Sequence, residues 1–341
     1  MKSIIIGLDI GKSVFQVHAE DCTGKIIIQK RLRRSQVEAF FAGLPPSPVG
    51  IEACGSAHHW ARLLRAQGHE VRLIPAAYVK PFVRRNKTDA RDAAAICAAL
   101  RRPDMRFVAI KSVEQQASRG LERSRELLVK QHTQLMNCVR SQLAELGIVA
   151  AQGRRGFAAL TAMLDAQDTP LPPVLASALR ALTQQVDALR TAIAALEEQI
   201  MAVAKDHPVM RRLAGIPGVG GLTAHAIVAA IGDGRQFGSA RDFAAWCGLT
   251  PREHSSAGKR RGQGISRQGD IRLRKLFALG ASTIMRNARW RTDRATEWQR
   301  GILARRPVKV AVLAQAAKTA RIAWAILVSG ETWQPRKTAA A

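Results

Sequence analysis

The chain has 341 residues, 47% of them hydrophobic, and carries 53 lysines and arginines against 26 aspartates and glutamates, a formal net charge of +27. Such an excess of positive charge is typical of proteins that bind a polyanion, and nucleic acid is the first candidate. The hydrophobic content excludes a disordered basic tail, and because no uncharged apolar run reaches the roughly 18 residues of a membrane-spanning helix, we expect a folded, non-membrane protein of two or three domains.

The N-terminal MKSIIIGLDIGK has only a short apolar run, interrupted by Asp9, so a signal peptide is not expected. Five scattered cysteines show no CxxC pairing. We therefore expect a cytoplasmic protein whose cysteines are reduced, buried thiols and form no zinc site.

The first hundred residues alternate between strand and helix patterns. SIIIGLDI, GKSVFQVHAED and KIIIQKRL predict three strands joined by tight turns, as in an antiparallel meander. A helix near residues 35–44 follows, and then the strand VGIEAC, the helix AHHWARLLRAQG, the strand EVRLIP and a helix that begins at Asp89. This order predicts an α/β ribonuclease H-like (RuvC-like) domain.

Four carboxylates fall at one edge of the predicted sheet. Asp9 ends the first strand and Glu52 the fourth, while Asp89 and Asp92 share one face of the later helix because residues i and i+3 are neighbours. Such a cluster is repulsive unless cations neutralise it, and hard divalent ions prefer oxygen ligands. Two ions about 4 Å apart can clamp the attacking and leaving oxygens of a phosphodiester displacement.

Helix capping is the alternative explanation for two of these residues. Asp89 as N-cap with Asp92 three residues later would be an ordinary capping pair. Asp9 and Glu52, by contrast, interrupt apolar strands, where a carboxylate has no capping role. We therefore predict a metal site, and expect Asp89 and Asp92 to cap their helix as well.

From about residue 112 the pattern becomes helical. A long segment without proline is followed, after PLPP, by apolar residues at alternating steps of four and three, the spacing of a coiled-coil seam. The two helices pair within the chain as a hairpin, or the seam joins two chains; the sequence leaves both open. The seam comprises Leu175, Leu179, Leu182, Val186, Leu189, Ile193, Leu196, Ile200 and Val203.

The segment LAGIPGVGGLTAHAIVAAIG, residues 213–232, has the form of a helix-hairpin-helix module. Backbone N–H groups near Gly218 and Gly220 would hold a DNA phosphate without reading sequence, whereas an ordinary helix turn is the alternative.

The next segment, PREHSSAGKRRGQGISRQGDIRLRK, is strongly basic and rich in Gly and Ser, which predicts a mobile loop that nucleic acid orders. Helices are predicted beyond it, with Trp290, Trp298 and Trp324 in the core and not serving as base-stacking platforms. Besides the two glycines, the candidate nucleic-acid contacts are Arg84, Arg85, Lys87, Lys259, Arg260, Arg261, Arg267 and Arg272.

Taken together, these segments resemble the DEDD transposases of bacterial insertion sequences, a family that includes the bridge-RNA-guided recombinases. The resemblance covers nearly the whole chain and rests on GLDIGK, IEACG, NKTDARDA, IPGVG with FAAWCGLTP, and HSSAGKRRGQGISRQGD. It implies that the catalytic ligands of Mg²⁺ are Asp9, Glu52, Asp89 and Asp92. It also implies that Ser256, or its neighbour Ser255, is the nucleophile.

The resemblance further implies a guide RNA, a donor and a target DNA, a homo-oligomer (dimer or tetramer), and action at the bacterial nucleoid. We expect a RuvC-like DEDD catalytic domain at 1–111, a coiled-coil assembly domain at 112–206, and a mainly α C-terminal domain at 207–341 with the helix-hairpin-helix and the serine. A RuvC-like junction nuclease that uses water and a non-catalytic architectural DNA-binding protein are the alternatives. Tyr78, the single tyrosine, is a poor nucleophile candidate.

Overall fold

The computed structural model describes residues 4–83, 88–166, 170–256, 259–290 and 296–334, with the backbone alone for 254, 256 and 259–263. The chain divides into two compact units, Met1–Glu114 and Gln115–Ala341.

The first unit is built on a five-stranded mixed sheet of order β3-β2-β1-β4-β5. Strands β1 (Ile5–Ile10), β2 (Val14–Glu20) and β3 (Ile26–Arg33) form an antiparallel meander. Strand β4 (Pro48–Glu52) runs parallel to β1, and β5 (Glu70–Ile74) runs parallel to β4. The predicted meander and the mixed α/β character of this region are confirmed.

Helices cover both faces of this sheet. Ile6, Leu8 and Ile51 point to one face, where they pack with Phe41 and Trp60 in a fully apolar core. Alternate strand residues face helix α4 on the other side. The helices of this unit are α1 (Val37–Ala42), α2 (Ala57–Ala66), α3 (Ala76–Val79) and α4 (Asp89–Leu100), with 3₁₀ turns at Arg34–Gln36 and Lys80–Phe82.

The second unit is mainly helical and has two cores. The larger one gathers apolar residues of α8 to α11 and α13, and the smaller one joins the end of α5, α6 and the first half of α7. Its helices are α5 (Val113–Ala144), α6 (Arg154–Asp165), α7 (Pro173–Asp206), α8 (Pro208–Ala214), α9 (Gly221–Ile231), α10 (Ala240–Trp246), α11 (Ile271–Trp290), α12 (Glu297–Arg305) and α13 (Val308–Ser329).

Helix α13 is, within the described part of the chain, the one helix whose length and hydropathy would suit a membrane span. Its Ala316, Ala320 and Ala323 are fully buried in the larger core of the second unit, and it carries Lys318 and Arg321. Core helices of globular proteins pass the same length and hydropathy test, and the burial of this face identifies α13 as one of them.

A β-hairpin occupies the stretch that was predicted to be a mobile loop. Strand β6 (Pro251–Ser256) pairs antiparallel with β7 (Lys259–Ile265), with Ser256 opposite Lys259. The prediction was wrong because these strands lack the apolar alternation that signals a strand, so only cross-strand pairing of the backbone reveals them.

Two predictions of burial also fail. Trp290 was assigned to the core, but 73% of it is exposed at the end of α11. Cys22 and Cys54 are exposed, whereas Cys97 and Cys247 are buried as expected. A tryptophan at the end of a helix, or a cysteine in the turn after a strand, carries no mark of its solvent exposure in the sequence.

Candidate active site

Three of the four predicted carboxylates converge. Asp9, Asp89 and Asp92 each offer a carboxylate oxygen, and these oxygens lie within 4.8 Å of one another. Asp92 is buried, Asp9 is half-buried and Asp89 is exposed. Carboxylates this close repel each other unless a cation shares them, and a donor set made only of oxygens suits a hard divalent ion such as Mg²⁺. The residues therefore fit the metal that the sequence predicts.

Two glycines allow helix α4 to lie directly on the sheet. Gly7 of β1 and Gly50 of β4 are partners in the parallel register. A Cβ atom on Gly7 would stand 2.1 Å from the carbonyl oxygen of Ala93, and one on Gly50 would stand 3.1 Å from the side chain of Ile96. At Gly7 only glycine permits so close an approach, and at Gly50 a larger residue would be tight.

The same glycines explain where the acidic side chains point. Side chains alternate along a strand, so Asp9 and Glu52, each two residues after its glycine, share the face that contacts α4. The sequences GLD and GIE thus bring two carboxylates to the beginning of α4, where Asp89 and Asp92 lie.

Glu52 lies beside this group and not within it. Leu8 and Ile51 are partners in the parallel register, so Asp9 and Glu52 occupy neighbouring strand ends. Burial raises the pKa of the Cys54 thiol, and the charges of Glu52 and then Asp9 raise it further. The charges of Glu52 and Asp9 therefore both reach the Cys54 thiol. The oxygens of Glu52, however, are not among the three that lie within 4.8 Å of one another.

Thr88, and not Asp89, caps helix α4. The Thr88 hydroxyl accepts a hydrogen bond from the backbone N–H of Arg91 at 3.4 Å, and the helix begins at Asp89. The predicted capping role of Asp89 and Asp92 is therefore wrong, because the threonine before them already fills that position. Both aspartates lie in the first turn of α4, where acidic side chains complement the helix dipole.

The candidate nucleophile lies near the tip of the β6–β7 hairpin. Ser256 ends β6, and Ser255 is opposite Arg260 in the antiparallel register. The Ser255 hydroxyl donates a hydrogen bond to Oε1 of Glu253 at 3.2 Å. The side chains of Ser256, Lys259, Arg260 and Arg261, and all of Arg84, Arg85 and Lys87, lie outside the described residues.

Contacts that were not predicted from the sequence hold the base of this hairpin. Gly269 has a φ of +69°, and a Cβ atom there would stand 1.7 Å from the carbonyl oxygen of Trp246. One guanidinium nitrogen of Arg274 donates to the carbonyl oxygens of Cys247 at 3.1 Å and Gln268 at 2.8 Å. Hydrogen bonds therefore join the segment before β6 to the segment after β7.

Asp270 connects the hairpin base to two helices. Its Oδ1 accepts hydrogen bonds from the backbone N–H groups of Arg272 at 3.0 Å and Leu273 at 2.9 Å, which caps helix α11. Its Oδ2 pairs with Nη2 of Arg119, on helix α5, at 3.2 Å. Arg119 and Asp270 are both largely buried, so this pair is shielded from solvent.

Arg272 belongs to a second internal ion pair instead of an open surface. Its Nη1 lies 2.7 Å from Oε2 of Glu122, and Oε1 of Glu122 lies 2.7 Å from Nδ1 of His225. Burial lowers the pKa of Arg272, and the charge of Glu122 opposes this shift. A histidine within the apolar helix GLTAHAIVAAI was the one sequence signal for this network.

The two candidate glycines before α9 differ in their surroundings. Gly218 has a φ of +80° and packs on α11, where a Cβ atom on Gly280 would stand 1.9 Å from the Gly218 carbonyl oxygen. Gly220 is exposed, precedes α9, and has open space where a side chain would stand. Arg267, between β7 and α11, is exposed. Gly220 and Arg267 are thus placed where a nucleic acid can reach them.

Two protein-family models match the chain. A DEDD transposase model of the IS110 type covers residues 6–148, and a model described as the transposase IS116/IS110/IS902 family covers residues 210–296. A probable family 20 transposase of Pseudomonas aeruginosa is 45% identical over 97% of this chain and 98% of its own length. This chain belongs to the IS110 family of insertion-sequence transposases. It is thus related to enzymes that cleave and rejoin DNA.

Other relatives of this transposase agree. The transposase for insertion sequence element IS1111A of Coxiella burnetii is 40% identical over 98% of this chain and 92% of its own length. The transposase for insertion sequence element IS1328 of Yersinia enterocolitica is 37% identical over 96% of this chain and 97% of its own length. The carboxylate group lies in the region matched by the DEDD model, and the serine hairpin lies in the region matched by the other model.

Proposed function

We propose that this transposase excises and inserts its own element by serine attack on a phosphodiester that is held on Mg²⁺. Asp9, Glu52, Asp89 and Asp92 are the proposed metal ligands, and Ser256 is the proposed nucleophile. The observation that carries the proposal is the approach of three carboxylates to within 4.8 Å, in the region that the DEDD transposase model matches. The strand order and pairing support a ribonuclease H-like, RuvC-like identity for this domain.

The proposed chemistry divides between the two matched regions. Bound Mg²⁺, as two ions, would neutralise the scissile phosphate and orient it. Glu52, at the strand end next to Asp9, completes the donor set. The Ser256 oxygen attacks phosphorus, its proton passes to water, and the bond to the 3′ oxygen breaks, so the DNA is held as a 5′-phosphoserine. A free 3′ hydroxyl of another strand then displaces the serine without ATP.

The proposed partners are donor DNA, target DNA and a guide RNA. The net charge of +27 supports a polyanion, and the resemblance to bridge-RNA-guided recombinases supports the RNA. Arg272 and Gly218 now have internal roles, in an ion pair and in helix packing. The remaining proposed contacts are Arg84, Arg85, Lys87, Gly220, Lys259, Arg260, Arg261 and Arg267.

The proposed domains follow the sequence, with a catalytic domain at 1–111, an assembly domain at 112–206 and a C-terminal transposase domain with a helix-hairpin-helix at 207–341. The helix–turn–helix of α8 and α9 and the exposed Gly220 support the DNA-binding module. The site of action would be the bacterial nucleoid, where insertion elements reside.

A junction nuclease is the second candidate, because the carboxylate group alone supports two-metal hydrolysis by water. The two functions differ in their products. A nuclease releases DNA with free 5′-phosphate ends, whereas the serine mechanism retains the 5′ end on the protein.

A trapping experiment separates these candidates. The purified protein with its co-purified RNA is incubated with Mg²⁺ and a nicked DNA substrate that cannot rejoin, and is then digested and analysed by mass spectrometry. We expect a nucleotide adduct on the peptide that contains Ser255 and Ser256. Ser256→Ala should lose the adduct, and Ser255→Ala, the matched control one residue away, should keep it. Free 5′-phosphate ends produced equally by Ser256→Ala would establish the nuclease instead.

A further inference from the structure

A groove between helices α11 and α13 is open at the surface of the second unit. It has a volume of about 570 Å³, and Met285, Val312 and Leu313 are among the apolar side chains that line it. Arg286, Arg289 and Lys309 also line it. An apolar floor with cationic side chains suits a ligand that has both a flat apolar surface and negative charge.

Trp290 lies at one end of this groove with 73% of its surface exposed. The Arg289 guanidinium lies 5.4 Å from the centre of its ring, in a cation–π contact. Trp324, unlike the exposed Trp290, packs against the core, and its Nε1 donates a hydrogen bond to the carbonyl oxygen of Gly234 at 2.9 Å. An exposed indole beside an arginine is the pairing that proteins use to stack a nucleobase.

Among the described residues, the charged side chains that line the groove are all basic. Helices α11 and α13 together contain no Asp or Glu, and the groove is lined by three basic side chains. An apolar protein surface would gain nothing from these three cations, whereas a phosphate backbone pairs with them. Charge therefore selects nucleic acid over a hydrophobic segment of a protein as the occupant.

We propose that the α11–α13 groove binds an unpaired nucleotide of a single-stranded segment. The base stacks on Trp290, and the flanking phosphates contact Arg286 and Lys309. Bases within a duplex already stack on each other, so they cannot offer a face to Trp290. This inference rests on the proposed function for the presence of nucleic acid, and it specifies where a strand is held in unpaired form.

Binding and crosslinking test the groove directly. The full-length protein, freed of co-purified nucleic acid, is titrated with labelled single-stranded RNA, single-stranded DNA and duplex DNA of one sequence. Because stacking is worth a factor of about 5 to 150 per base in affinity, Trp290→Ala should weaken single-strand binding by that factor. Trp290→Phe, which keeps a ring, should restore most of it, and duplex binding should change little.

A matched pair of charge variants tests the phosphate contacts. Arg286→Gln should lower the slope of log affinity against log salt by about 0.7 for single strands. Arg321→Gln removes the same charge from the exposed side of α13, outside the lining of the groove, and should leave that slope unchanged. Since Arg286 and Arg321 are both exposed, neither change should alter the thermal unfolding temperature.

Photocrosslinking of 5-iodouridine oligonucleotides should mark the peptide that contains Trp290. Preferential marking by RNA assigns the groove to the guide, and preferential marking by DNA assigns it to an unpaired target strand. Equal losses on duplex and single strands, or unchanged single-strand affinity in Trp290→Ala, would overturn the inference while leaving the serine adduct intact. If the unmodified protein bound no nucleic acid at all, both this inference and the proposed function would be overturned.

Discussion

Asp92 combines burial with close approach to two other carboxylates, a combination that is costly in the absence of a cation. It is 9% exposed, and one of its carboxylate oxygens lies within 4.8 Å of one oxygen each of Asp9 and Asp89. Thr88 is the N-cap of the helix, and Asp89 and Asp92 lie in its first turn, where the helix dipole favours acidic side chains but does not require them to approach Asp9. The arrangement has a simple cause if the three carboxylates share a divalent ion.

Replacing Asp92 with Asn tests this directly. Asp92→Asn should abolish DNA cleavage, because an amide is a weaker ligand that brings no charge to the site. Ligand binding stabilises a native protein by about 2.7 kcal/mol at 100 times the dissociation constant, and this gain on adding Mg²⁺ should disappear. Thermal unfolding with and without Mg²⁺ measures it.

Asp104→Asn is the control, because Asp104 is exposed and is paired with Arg102 at 3.1 Å outside the site. It should keep both cleavage and the response to Mg²⁺. A folded Asp92→Asn protein that cleaves normally would show that the carboxylates have no role in metal binding.

Residues that interrupt a hydrophobic pattern could be predicted from the sequence as functional. Residues that fit their local pattern could not, because their surroundings depend on distant parts of the chain. Asp9 and Glu52 stand out because a carboxylate does not belong in an apolar strand. Arg272 was read as a surface cation, since its partner Glu122 is 150 residues away in the chain and only the fold brings them together. The exposure of Trp290 was likewise invisible, because an aromatic residue at a helix end fits a core equally well.

Among the elements, helix α4 is the one whose position decides the geometry of the site. It lies on β1 and β4 at Gly7 and Gly50, and it carries Asp89 and Asp92. The order of strands and helices could be predicted from hydrophobic periodicity. The contact of α4 with β1 and β4 could not, because it depends on two residues without side chains. A glycine within a strand usually weakens the strand, but here the two glycines allow the short distance between helix α4 and the sheet.

Gly7→Ala should therefore damage the site without touching a carboxylate. Its Cβ atom would stand 2.1 Å from the Ala93 carbonyl oxygen, so α4 must move away from the sheet. Overpacking of this kind costs about 1–3 kcal/mol of unfolding free energy, and cleavage should fall more steeply than stability. Urea unfolding and a cleavage assay on the same preparation measure the two effects.

Gly43→Ala is the matched control in the same unit, since its Cβ atom would meet the nearest atom at an ordinary 3.6 Å. Stability and cleavage should both stay close to those of the unmodified protein. Full cleavage by Gly7→Ala would show that α4 tolerates displacement.

For the whole molecule, the apolar seam of α7 is only partly covered by its own chain. Leu179 and Val186 are buried in the smaller core with α5 and α6. Farther along, Ile200 is buried, whereas Leu189 and Leu196 are only partly buried and 42% of Val203 is exposed. The hairpin interpretation thus accounts for the first half of the seam and for Ile200, and the partly exposed Leu189, Leu196 and Val203 support the proposed contact between chains.

Leu189→Asp with Leu196→Asp should dissociate the proposed oligomer, because two charges per chain would be buried in the contact. Light scattering should report a smaller particle that stays folded by circular dichroism and still binds DNA. Ala188→Asp with Ala195→Asp adds the same charges at exposed positions one residue earlier and should leave the particle size unchanged. An oligomer that survives the leucine changes would exclude this seam as the contact.

The ion pairs at the base of the β6–β7 hairpin tie the hairpin to helix α5. Arg119 and Glu122, one turn apart on α5, hold Asp270 and Arg272 just beyond β7. Strands β6 and β7 have 6 and 7 residues. At about 3.3 Å per residue they are roughly 20 Å long, so a tilt of about 5° at this pivot moves the far end of the hairpin by about 2 Å. Displacements of that size change reaction rates by about 100-fold. The two ion pairs therefore couple the position of the hairpin, which carries the proposed nucleophile Ser256, to the position of helix α5.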